Sequence, residues 1–104
     1  MSPPDNARIV QTAAEVIRLF GLTETECGIA LAAGHRLVDQ GRAIRVDAYQ
    51  DRIGARYVSL VGGGGHHFTV LRDRWKCRLL GSGGHSVVSD HRFETVLDAL
   101  EKVA

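Results

Sequence analysis

Chemistry in this chain could sit in its five histidines, its two cysteines and two glycine-rich turns. His66 and His67 follow four glycines in SLVGGGGHHFTV, residues 59–70. Nineteen residues on, LLGSGGHSVV repeats the order G-x-G-G-H, so that Gly62, Gly64, Gly65 and His66 return as Gly81, Gly83, Gly84 and His85. Imidazoles can ligate a metal or move a proton near neutral pH. Consecutive glycine N–H groups can cradle phosphate. The spacing tests each option. Adjacent residues on a strand point to opposite faces, so His66 and His67 cannot share an ion. His66 and His85 could meet at one sheet edge, with His91 or Cys77 as further ligands. However, no C-x-x-C or H-x-x-x-H pair is present, and no metal or other cofactor is expected. Phosphate loops usually open a helix, whose N-terminal dipole assists them. Here both glycine runs lead into extended sequence. Glycine's simpler role is to supply positive φ in turns and bulges.

The stretch GGGGHHF also resembles, over its own short length, the G-S-H-H segment of HicA-like toxin ribonucleases. Those proteins are shorter and lack the two leading helices read here. The resemblance implies His66 or His67 as a general base, with a nearby arginine for phosphate. A thiol pair of Cys77 with His85 is the other catalytic arrangement to weigh. The alternation below puts Cys77 on the apolar side, where a cysteine is inert packing.

Three helices and four strands would position these residues. A first helix is predicted over residues 5–20, opened by Pro3, Pro4 and Asp5, with Ile9, Ala13, Val16, Ile17 and Phe20 on one face. A second starts at Thr23, whose spacing to Glu26 makes a capping box, with Leu22 and Cys27 in the staple positions around it. It ends at Gly41, and the small residues Gly28 and Gly34 would let another element approach. From Ala43 the period changes from helical to alternating. Strands are predicted at 43–49, 55–61, 66–72 and 75–80, with a tight turn at Asp73 and Arg74. A last helix is predicted over 91–103, capped by Asp90, with Phe93, Val96, Leu97 and Leu100 buried. The expected fold is a single α+β domain over residues 1–104, in the order α-α-β-β-β-β-α. It would be a four-stranded antiparallel meander with the helices packed on one face. Both glycine–histidine turns should lie at the same edge of that sheet.

Alternation sorts the strands into two faces. Ile44, Val46, Ala48, Val58, Leu60, Phe68, Val70, Trp75, Cys77 and Leu79 form an apolar set for the helices to cover. Arg45, Asp47, Tyr49, Tyr57, Ser59, His67, Thr69, Lys76 and Arg78 form the opposite face. Antiparallel sheets ordinarily keep one wet face, but tyrosine and arginine are also the residues that carry binding energy.

Charge narrows the partner. Residues 1–41 carry net −2, residues 42–92 net +5 and residues 93–104 net −2. The basic middle would attract an anionic surface. The whole-chain pI near 7.9 falls short of the value above about 9 that accompanies nucleic-acid binding domains. No apolar run approaches the ~20 residues of a membrane span, and no membrane partner is expected. The opening MSPPDNARIV lacks the pattern of a signal peptide, and two cysteines make no disulfide framework, so a cytoplasmic location is expected. The residues therefore read as a non-enzymatic binding protein of the adaptor, immunity or inhibitor type. It would dock a macromolecule, a protein in preference to a nucleic acid, through Arg45, Tyr49, Tyr57, His67, Lys76 and Arg78, with His66 and His85 at the rim. Nucleic-acid binding by the same face, and a histidine-dependent ribonuclease, are the alternatives. Free strand edges leave room for a homodimer.

Overall fold

Local sequence sets the first element. In the computed structural model, which describes residues 19–104, Thr23 is extended and caps helix α1 (Glu24–Asp39). Its Oγ1 accepts from the Glu26 N–H at 3.1 Å, and Glu26 Oε1 accepts from the Thr23 N–H at 3.0 Å. Two of the four N–H groups that a helix start leaves unpaired are thereby satisfied. Leu22 and Cys27, at the staple positions, are both buried. At the other end Gly41 takes φ +73°. Its N–H donates to the Val38 carbonyl, and the Arg42 N–H to the Leu37 carbonyl, the paired bonds of a Schellman ending. The helix predicted over residues 5–20 lies outside the described residues except at its end, where Leu19 and Phe20 are helical.

Five strands follow: β1 (Ala43–Gln50), β2 (Arg56–Gly62), β3 (His67–Asp73), β4 (Lys76–Leu80) and β5 (Ser86–Asp90). A short 3₁₀ turn, Ser82–Gly84, precedes β5, and helix α2 (Phe93–Val103) closes the chain. The sheet is an antiparallel meander in sequence order, β1 to β5. Both helices lie on one face of it, α1 over β1 and β2, α2 over β4 and β5. The α+β class and the one-sided arrangement agree with the sequence expectation. The sheet has one strand more than the four expected. Strand β5 is short, and of its residues only Val88 and Asp90 are partly covered, so its pattern reads as loop.

The core lies between the helices and the inner face: Leu37 and Ala30 from α1, Val96 and Leu100 from α2, and Val58, Leu60, Val70, Cys77 and Leu79 from the strands. Three residues placed there by alternation are elsewhere. Ile44 is 62% exposed, because a bulge between Ala43 and Arg45 takes it out of register and lets Ala43 and Val46 both face inward. Trp75 is 73% exposed, since it sits in the two-residue turn after Asp73 rather than on β4. Ala48 has inward parity but lies on the edge strand, where it borders a hollow beside Cys27. Asp90 is not the cap of α2. That position is Arg92, and the Asp90 carboxylate instead accepts from the Arg92 N–H at 2.7 Å.

Of the two helix glycines, Gly34 meets the sheet. A Cβ built there would stand 2.8 Å from Val46 Cβ. Around Gly28 nothing lies within 4 Å, so only one of the two small residues permits a close approach.

Candidate functional site

Register decides which side chains share the outer face. Arg45 pairs with Val61, Asp47 with Ser59 and Tyr49 with Tyr57. Ser59 pairs on with Thr69, and Val61 with His67. Thr69 then meets Leu80, Leu71 meets Arg78 and Asp73 meets Lys76. Arg45, Tyr49, Tyr57, His67, Lys76 and Arg78 therefore do come together on one face. Neither α1 nor α2 covers it, while Phe20, from the helical end ahead of α1, borders it. The Tyr49 and Tyr57 rings stack with centroids 5.5 Å apart and planes inclined by 23°. Such a cross-strand aromatic pair contributes roughly 0.5–1.5 kcal/mol beyond the area it buries.

Three residues left unassigned by the sequence reading, Val61, Leu71 and Leu80, also lie on this outer face. Each is half-buried, and together they give the face an aliphatic middle. Parity alone could have found them, because they alternate with Leu60, Val70 and Leu79. Tyr57, Thr69 and Leu71, with Phe20, Asp51 and Asp73, line a shallow cleft of about 300 Å³. The charges at the border are largely paired. Arg45 Nε lies 3.1 Å from Asp47 Oδ2, and Arg78 Nη1 lies 3.1 Å from Asp73 Oδ2. Lys76 is exposed with no carboxylate partner among the described residues.

The two glycine–histidine stretches form one kind of turn used twice. In the first, the Gly62 N–H donates to the His66 carbonyl and the Gly65 N–H to the Gly62 carbonyl. In the second, Gly81 donates to His85 and Gly84 to Gly81, in the same pattern. Gly65 has φ +81° and Gly84 φ +80°, the left-handed position that a three-residue hairpin loop with a bulge demands. The loops join β2 to β3 and β4 to β5, so they share one end of the sheet. Ser82 Oγ, from the second loop, accepts from the His67 N–H at 2.9 Å and links them.

This geometry gives each imidazole its own setting. His85 Nδ1 lies 2.7 Å from the Ser82 carbonyl, and its ring covers Gly81, where a Cβ would stand 2.9 Å from it. The His66 ring rests near Gly64. His67 is exposed on the outer face. Neither His66 nor His67 has a side-chain hydrogen bond or salt bridge to a carboxylate among the described residues that would orient it as a base. No group of three His, Cys, Asp or Glu side chains comes together among those residues as a cation site requires. Cys77 is fully buried near the opposite end of β4, so it does not meet His85. Burial pushes its thiol up from the ordinary value, which keeps it protonated and unreactive.

A residue the alternation left unassigned, Arg72, ties the two layers together on the inner side. Its guanidinium pairs with Glu26 Oε2, with both side chains mostly covered. One Glu26 oxygen thus caps α1 while the other anchors β3. Burial opposes ionisation of Glu26, but the hydrogen bond from Arg72, with help from Thr23 and the arginine charge, outweighs it and holds the carboxyl below its ordinary 4.5. The same hydrogen bond overcomes burial at Arg72 and raises its pKa.

The fold and the site define a class: an α+β protein whose sheet carries, opposite α1 and α2, a mixed aromatic and aliphatic face. Comparison of the chain with protein-family models, curated proteins and solved structures gives no match in any of the three. Among the described residues, no helix is long and apolar enough to cross a membrane.

Proposed function

We propose that this is a non-enzymatic binding protein that docks another protein through the outer face of its sheet. The observation that carries the reading is the composition of that face by register. The stacked Tyr49 and Tyr57 and the aliphatic Val61, Leu71 and Leu80 lie in the middle, with Arg45, His67, Lys76 and Arg78 around them. An apolar, aromatic centre with a polar rim is the anatomy of a protein interface. Charge favours a protein over a nucleic acid here, because Asp47 and Asp73 cancel Arg45 and Arg78 on the same face. A phosphate backbone would meet little net positive charge there.

The experiment is affinity capture from the native host with the intact chain and with the variant Arg45→Ala/Tyr49→Ala/Tyr57→Ala. A partner recovered by the intact chain should be lost from the variant while its melting curve still shows a folded domain. Once the partner is in hand, Tyr57→Ala alone should weaken binding roughly 5- to 30-fold, as truncation of an aromatic anchor typically does. Equal recovery by the intact chain and the triple variant would remove the outer face from consideration.

A further inference from the structure

The end of the sheet opposite the glycine–histidine loops carries a second feature, which shares Asp73 and Lys76 with the outer face and adds Arg74, Trp75, His91 and Arg92. The β3–β4 turn projects Trp75, the only tryptophan of the chain and its most exposed large hydrophobic side chain among the described residues, at 73%. Nothing in the core needs it there. Arg74, immediately before it, holds φ +62°, the one left-handed non-glycine residue described. That conformation costs about 1 kcal/mol for a side chain other than glycine. The turn is braced from the far end of β5, since His91 Nδ1 lies 3.0 Å from the Trp75 carbonyl. Trp75 is therefore presented on a supported backbone, and the same contact brings the start of α2, with Arg92, to this end.

Three cations gather at this end, Lys76 from the border of the outer face and Arg74 and Arg92 from beyond it. Arg74, Lys76 and Arg92 form no salt bridge among the described residues. Of the nearby carboxylates, Asp73 pairs with Arg78 at 3.1 Å, Asp90 accepts from the Arg92 N–H at 2.7 Å, and Glu94, in the first turn of α2, partly offsets Arg92. Arg72 is neutralised by Glu26 and does not count. Asp73, Arg74, Trp75, Lys76 and His91 line a hollow of about 410 Å³, within the roughly 300–1,000 Å³ of small-ligand clefts. A second hollow, lined by Leu19, Thr23, Arg72, Arg74 and Trp75, opens on the other side of the indole.

We propose that the Trp75 turn is a contact site for single-stranded nucleic acid. The indole stacks on a base, and Arg74, Lys76 and Arg92 face the flanking phosphates. Stacking on an exposed ring between cations is how single strands are held without reading their sequence. An acidic peptide would satisfy the cations equally well but leave the indole without a planar partner. The proposal does not rest on the protein-binding reading: it uses neither tyrosine of the outer face and shares Lys76 alone among that reading's contact residues.

Because Trp75 is the sole tryptophan, its emission reports the contact directly. The intact chain is titrated at low salt with a single-stranded oligo-dT of roughly 12 nucleotides, within the site sizes typical of such surfaces. Saturable quenching is expected. The affinity should fall with salt at a slope near −2 in log–log form, for about three phosphates at ~0.7 each. With a dye-labelled oligonucleotide, Trp75→Ala should bind roughly 5- to 100-fold more weakly, the usual loss of one stacked base, and Trp75→Phe should retain most of the affinity. Arg74→Ala should lower the salt slope by about 0.7. Tyr57→Ala should leave oligonucleotide binding intact, which separates this site from the outer face. Four outcomes overturn the proposal: no quenching at low salt, Trp75→Ala binding as well as the intact chain, a duplex of equal length binding as tightly, or a polyglutamate peptide competing as well as the oligonucleotide. Trp75 lies outside the core cluster, so its variants keep the fold, and a melting curve verifies that.

Discussion

Replacing Gly28 and Gly34 separately with alanine tests how α1 is seated on the sheet. Both residues lie in the same helix, and alanine is favoured over glycine at each by about 1 kcal/mol of helix propensity. Around Gly28 nothing lies within 4 Å of the added Cβ. Gly28→Ala should therefore stabilise the domain by about 0.5–1 kcal/mol. At Gly34 the methyl would stand 2.8 Å from Val46 Cβ and 3.1 Å from Val46 Cγ1. Val46 cannot swing aside, because a β-branched side chain has a stiff χ1 and this one is buried on a strand. The helix must lift instead, and such overpacking costs about 1–3 kcal/mol. Net of propensity, Gly34→Ala should change stability by between about zero and −2 kcal/mol. The two variants should thus differ by about 1–3 kcal/mol, or at least ~4 °C in melting midpoint for a domain of this size. Far-UV circular dichroism during thermal and urea denaturation measures both. Adding Val46→Ala to Gly34→Ala should cost less than the sum of the single changes, because the new methyl occupies the vacated space. Equal stabilisation by Gly28→Ala and Gly34→Ala would refute the close seating of α1 on β1.

Other expectations follow from the same geometry. Glu26→Gln keeps the capping box but loses the charge-assisted bond to Arg72, and should cost about 1–2 kcal/mol near neutral pH. Because the folded pKa of Glu26 lies below its ordinary 4.5, that contribution is complete above 4.5 and is lost as pH falls through the folded value. The stability gap between the two proteins, read from urea midpoints, should therefore close in acid; a gap that persists there would assign it to packing. Gly65→Ala, at φ +81°, should destabilise by about 1–2 kcal/mol. Gly63→Ala, whose added Cβ meets only the Arg42 carbonyl at 3.6 Å, should cost less than about 0.5 kcal/mol, and equal losses would deny the hairpin-loop reading. Arg74→Gly removes the left-handed strain and should stabilise by about 0.5–1 kcal/mol in thermal melts.

Features set by neighbours in the chain are legible in the residues themselves. Thr23 and Glu26 cap α1 because the partners are three residues apart. Gly41 ends it because the left-handed position needs no distant contact. The alternation from Ala43 onward separates the tyrosine and arginine face from the core face, and the repeated G-x-G-G-H order marks two loops at the same end of the sheet. Where alternation fails, the cause is local irregularity that residue types do not announce. A bulge turns Ile44 out, and a second irregularity near Leu80 leaves Val87 exposed. The two-residue turn claims Trp75, a residue whose hydrophobicity argues for the core.

By itself, then, the sequence determined the α+β class, the cap and ending of α1 and the two-faced pattern of β1 to β4, because each depends on interactions within a few residues. Only the tertiary structure decided that β5 joins the sheet, since its pairing to β4 supplies the hydrogen bonds its own composition does not advertise. Long-range pairing also made Glu26 both a helix cap and the anchor of Arg72, 46 residues away. It stacked Tyr49 on Tyr57 and brought His91 against the Trp75 turn. Such contacts depend on register and on how layers pack, and a one-residue slip would undo them. The glycine–histidine stretches are therefore paired loops at one end of the sheet, and the surfaces proposed for partners are the tyrosine face and the Trp75 turn.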